Sequence, residues 1–191
     1  MRVHINIVGA MERETMRTIN TDVRKLQRCL GEGAIQRAYK GIISYMSRLR
    51  TVFASQRGEN AVSGLYQGYF DMTYFALFPN TLRARSLKLA IVFNYETFSF
   101  EVWLAARNRQ VQRHYWKLLV NTGYKKHPLV EPTVGVDAIV QAMLAADYSL
   151  EAEDNLTDRI VGGVTAFESI ISAFFGRGGY QVSEVSEGIS S

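Results

Sequence analysis

The spacing of apolar residues changes along the chain, and each change marks an element. Ile19, Val23, Leu26 and Leu30 recur every three or four residues and predict a helix over residues 15–30. Gly31 to Gly33 break it. A stronger stripe, Ile35, Tyr39, Ile42, Met46, Leu49 and Phe53, predicts a helix over 34–56, with Arg37, Lys40, Arg48 and Arg50 on its solvated side. After a loop at 56–60 the period drops to two. From 65 to 78 the even positions Tyr66, Phe70, Met72, Tyr74 and Phe78 read as the buried side of one strand. The odd positions Gln67, Tyr69, Asp71 and Thr73 read as its polar side. Residues 87–95 and 98–105 form two further strands, close enough to make an antiparallel hairpin.

Asn108 is placed to cap a helix through Val120, and Gly123 to stop it. Pro128 and Pro132 make residues 127–133 a short fourth strand at a sheet edge or an extended loop. Val136, Ile139, Val140, Met143 and Leu144 predict a helix over 135–146, and the stripe from Leu156 to Phe174 predicts a last, long helix over 151–175. The expected fold class is α+β. A three-stranded antiparallel sheet forms the core, with a short fourth strand, helices on its apolar face and a helical C-terminal region. Residues 15–175 make a single domain. Residues 1–14 are a flexible extension, or lie ahead of a start at Met11 or Met16, and residues 176–191 are a polar, disordered tail.

With 191 residues, 47% hydrophobic and 21% charged, the composition suits one globular domain. Cys29 is the only cysteine, so no intrachain disulfide or cysteine metal cluster forms, and a reduced, cytoplasmic setting is expected. No apolar run approaches the ~20 residues of a membrane span, so no membrane partner is expected. His4 and Asn6 interrupt the N-terminal stretch and argue against a signal peptide. The net charge of +4 hides an asymmetry: residues 1–130 carry +12 and residues 131–191 carry −8. Nucleic acid is one reading of the basic part. The scattered arginines favour internal pairing with the acidic C-terminal region instead.

Candidate chemistry sits in the hairpin. One face carries Leu89, Ile91, Phe93, Phe98, Phe100, Val102 and Leu104, a core surface. The other carries Lys88, Ala90, Val92, Asn94, Ser99, Glu101, Trp103 and Ala105. If the first strand joins this sheet, Gln67, Tyr69, Asp71 and Thr73 extend that mixed face. An indole and a tyrosine ring are odd in open water, and an unpaired buried carboxylate is costly. A partly covered pocket reconciles the two, with Gln67, Tyr69, Asp71, Asn94, Glu101 and Trp103 as ligand-binding candidates for an unknown small molecule or protein partner. His114 has no second histidine at metal spacing, and Gly176 to Gly179 lack the flanking residues of a phosphate loop.

Residues 34–50 (AIQRAYKGIISYMSRLR), 63–75 (SGLYQGYFDMTYF), 87–105 (LKLAIVFNYETFSFEVWLA) and 108–119 (NRQVQRHYWKLL) resemble a family of uncharacterised bacterial proteins, a domain of unknown function. That resemblance implies one domain and no stated activity. The order helix, three strands, helix, short strand also resembles restriction-endonuclease-like nucleases. It implies Mg²⁺ held by Asp71 and Glu101. The lysine of that motif is replaced here by Trp103, leaving Lys88 on the neighbouring strand as the substitute. Outside that alternative no cofactor is expected. A third class is a homo-oligomer, self-associating through apolar surface on the long C-terminal helix.

Overall fold

Leu87–Asn94 (β3) and Ser99–Ala106 (β4) alternate as expected and pair antiparallel, with Phe93 opposite Phe100 and Ile91 opposite Val102. Around this hairpin the computed structural model describes residues 18–58, 61–133 and 135–177. The two terminal segments expected to be flexible or disordered lie mostly outside those residues; only Gly176 and Arg177 are described, as the end of the last helix.

The described chain gathers into two compact units, divided between Lys40 and Gly41. In the first, Ile19–Gly31 (α1) is capped by Thr18, whose hydroxyl accepts from the Thr21 amide at 3.3 Å. None of its residues is buried, and Ile19, Val23 and Leu26 are exposed. Gly33, at φ 72°, turns the chain into Ala34–Arg57 (α2).

The second unit holds one five-stranded antiparallel sheet, with strands neighbouring one another in chain order. The sheet adds Tyr66–Gln67 (β1), Met72–Leu77 (β2) and Ala138–Ala145 (β5) to the hairpin. The three-stranded expectation therefore falls short by two strands. The single strand over 65–78 is in fact β1, a turn and β2. Phe70, at φ 61°, reverses the chain. Gly68 fits there because a Cβ would lie 1.9 Å from the Asp71 carboxylate and 2.6 Å from the Met72 carbonyl.

The predicted helix over 135–146 is β5. Its register against β4 skips Ile139 and Leu144, so two bulges break its period of two. Apolar residues then fall in neighbouring pairs that imitate helical spacing. Residues 127–133 contribute only a bridge, Leu129 to Val140, at the outer edge of β5. Between β2 and β3 the chain forms the short helix Asn80–Arg83 (α3).

Thr73, Phe75 and Leu77 of β2 join Ile91, Phe93, Phe100, Val102 and Leu104 on the apolar face, all fully buried. Helices cover this face. From α2, Tyr45 packs edge-on against Phe100 at 5.4 Å and Phe53 against Phe75 at 5.8 Å. Arg109–Asn121 (α4) is capped by Asn108, which accepts from the Val111 amide at 2.9 Å. Its Tyr115 meets Phe175 of Glu153–Arg177 (α5) at 5.3 Å. Among the described residues, α5 is the one helix long and apolar enough to cross a bilayer. Here its stripe, Leu156, Ile160, Val164, Phe167, Ile171 and Phe175, is buried. Phe98, expected in the core, is 58% exposed, because it sits in the hairpin turn at φ 49°.

Candidate functional site

The register of the sheet fixes what shares its other face. Tyr74, Val92, Glu101 and Met143 form one cross-strand row. Ala76, Ala90, Trp103 and Gln141 form the next, and Lys88 and Ala105 the one beyond. Between the large side chains, Ala90, Val92 and Ala105 make a floor of small residues. The result is a depression of about 270 Å³. Tyr66, Tyr74, Met72 and Trp103 wall it, and Lys88, Asp71 and Asp137 supply its charges.

Glu101 is only 7% exposed and does not line this depression. One carboxylate oxygen accepts from Asn94 Nδ2 at 3.2 Å, Thr97 Oγ1 at 3.2 Å and Ser99 Oγ at 3.1 Å. The other accepts from Trp103 Nε1 at 2.7 Å. Asn94 is itself oriented, since its Oδ1 accepts from the Glu96 amide at 2.9 Å and so turns its NH₂ towards Glu101. A buried carboxylate is tolerable when donors surround it, and here they come from the same hairpin. The carboxylate thus holds the indole N–H of Trp103, and Trp103 in turn lines the depression.

Of the other sequence candidates, Asp71 and Trp103 line the depression, and Asn94 acts through Glu101. Tyr69 is 97% exposed at the turn. Gln67 pairs with buried Thr73, on the side away from the depression. The polar and apolar sides of this strand were therefore exchanged in the sequence reading. Tyr66, Met72 and Tyr74 are the residues that face the site. These three read as core because large apolar and aromatic residues on both parities gave no contrast.

Tyr66 and Tyr74 lie 5.0 Å apart, and the Lys88 ammonium stands 5.9 Å from the Tyr74 ring centre. Burial, then the charge of Asp137 and the Tyr66 hydroxyl, raise the pKa of Tyr74, so it remains a neutral donor. The loop bearing Gly135 and Asp137 is fastened from α4. Buried Gln112 donates to the Val136 and Ala138 carbonyls at 2.8 and 2.9 Å, and Arg109 donates to the Thr133 and Val136 carbonyls at 2.5 and 3.0 Å. Neither Gln112 nor Arg109 was singled out in the sequence; a glutamine on the inward stripe of α4 was the available signal.

Asp71 and Glu101 are not brought together. Glu101 pairs with Val92 and Val92 with Tyr74, and Asp71 lies three residues before Tyr74. At ~4.8 Å per strand and ~3.3 Å per residue, their backbones are ~14 Å apart. Among the described residues no three His, Cys, Asp or Glu side chains gather at metal-binding distance. The sheet is an antiparallel meander, and the nuclease resemblance finds no support in it.

A family model described as a domain of unknown function (DUF7000) matches residues 19–175. No curated protein and no solved structure matches the chain.

Proposed function

The chain belongs to the DUF7000 family, which brings no activity with it, and we propose that its function is to bind a small planar molecule on the open face of the sheet. One observation carries this reading. The indole of Trp103 is fixed by a buried carboxylate beside a floor of alanine and valine. A preorganised aromatic wall over small residues leaves room for a flat ring and costs little ordering on binding. Lys88, Asp71 and Asp137 stand at the same depression and supply the few polar groups that orient a ligand.

The test uses the full chain carrying Trp116→Phe, so that Trp103 is the sole indole. A set of planar aromatic compounds is titrated while Trp103 emission and thermal midpoint are followed. The reading expects a saturable change in emission, a raised midpoint, and loss of midpoint shift in Trp103→Ala. If no compound binds, or Trp103→Ala binds as well as the parent, the reading is wrong.

A further inference from the structure

A second hollow, of about 320 Å³, adjoins the depression where β2 ends, β3 begins and β4 ends, and Lys88 lines both. Arg83, Ser86 and Arg107 line it too, and no carboxylate does. The chain builds this cluster by local means. Ser86 takes the left-handed φ of 56°, its amide donates to the Arg83 carbonyl at 3.0 Å, and its own carbonyl accepts from the Arg107 amide at 2.9 Å. Ser86 and Lys88 flank buried Leu87, so they share the open face with Arg107, two residues beyond Ala105. No ion pair among the described residues involves Arg83, Lys88 or Arg107.

Three cations around one hollow repel one another unless water screens them or an anion joins them. A carboxylate would answer one charge. A phosphate monoester carries about −1.5 to −2 and three acceptor oxygens, which matches three cationic donors. Lys88 lies two residues along β3 from Ala90, the partner of Trp103, and Arg107 lies four residues along β4 from Trp103. At ~3.3 Å per residue and ~4.8 Å per strand, the backbones bearing Lys88 and Arg107 stand ~8–13 Å from that of Trp103. That is the span from a ring through a pentose-sized linker to a phosphate.

We infer that the ligand of the open face is an aromatic small molecule bearing a phosphate, its ring beside Trp103 and its phosphate among Arg83, Lys88 and Arg107. The inference rests on the proposed function and adds the anionic half of the ligand. The probes are adenosine 5′-monophosphate, adenosine and inorganic phosphate, titrated into the full chain with Trp116→Phe and into its Arg83→Gln and Arg107→Gln forms. Trp103 emission reports the ring, and calorimetry reports phosphate alone. Expected are binding of the monophosphate at least tenfold tighter than adenosine, a tenfold or larger loss in each arginine variant, and weakening as salt rises. Equal binding of adenosine and its monophosphate, unchanged by the variants, would overturn the inference and leave the aromatic seat standing. Phosphate bound through the arginines with no Trp103 response to adenosine or its monophosphate would overturn the joint ligand and the aromatic seat together. Tighter binding of single-stranded DNA than of the mononucleotide would overturn the small-molecule assignment.

Discussion

Glu101→Gln keeps the shape of the side chain and removes its charge. Oε1 of the glutamine still accepts from Asn94, Thr97 and Ser99, at neutral strength. Its NH₂ then faces the Trp103 Nε1–H, which donated to Oε2 at 2.7 Å, so two donors oppose each other. Hydrogen bonds to a charged group contribute ~1.5–3 kcal/mol each, and neutral ones ~0.5–1.5. Losing the indole bond and weakening the other three, offset in part because a neutral amide costs less to bury than a carboxylate, should destabilise the domain by about 2–4 kcal/mol. The assay is urea unfolding followed by far-ultraviolet circular dichroism, with the midpoint shifted and the slope unchanged. A double-mutant cycle with Trp103→Phe isolates the indole bond, with an expected coupling of about 1.5–3 kcal/mol. A Glu101→Gln cost below about 0.5 kcal/mol, the ordinary range of surface substitutions, or a coupling near zero, would refute the reasoning.

Phe100 is fully buried and touches Tyr45, Phe93 and Tyr148 at ring distances of 5.4, 5.0 and 4.9 Å; Phe100→Ala should cost about 3–5 kcal/mol in urea unfolding. Gln112→Leu removes the side-chain donor to the Ala138 carbonyl and leaves Val136 only its Arg109 donor, and should cost about 1–3 kcal/mol while faster amide exchange spreads through residues 135–138. Burial lowers the pKa of His127 from its ordinary 6.5, so the unfolded chain takes up that proton first as pH falls. Stability at His127 is full above 6.5 and is lost progressively below it, a trend that urea midpoints should lose in His127→Gln.

The hairpin was legible because β3 and β4 alternate without interruption, and the helices because α2, α4 and α5 keep one continuous stripe each. Asn108 and Gly123 marked the ends of α4 by chemistry that works locally, an amide cap and a φ of 68°. What the sequence hid was set by non-local geometry. The bulges at Ile139 and Leu144 made a strand resemble a helix. Aromatic residues on both parities of 66–77 gave no sign of which side was core, so Tyr66 and Tyr74, partners on the open face, read as buried. Glu101 and Trp103 were visible as neighbours on one face, but their roles were not. That Trp103 and not Glu101 lines the depression follows from the three further donors that Asn94, Thr97 and Ser99 supply to the carboxylate from the hairpin end.

The central claim is that the open sheet face is the ligand seat and that the helix-covered face is not. Methyl chemical-shift mapping tests it directly, with labelled alanine and valine and adenosine 5′-monophosphate as the added probe. The account predicts saturable shifts at Ala90, Val92 and Ala105, with Val140 and Val164 of the buried core unmoved. Shifts confined to the core, or spread evenly over both faces, would contradict it.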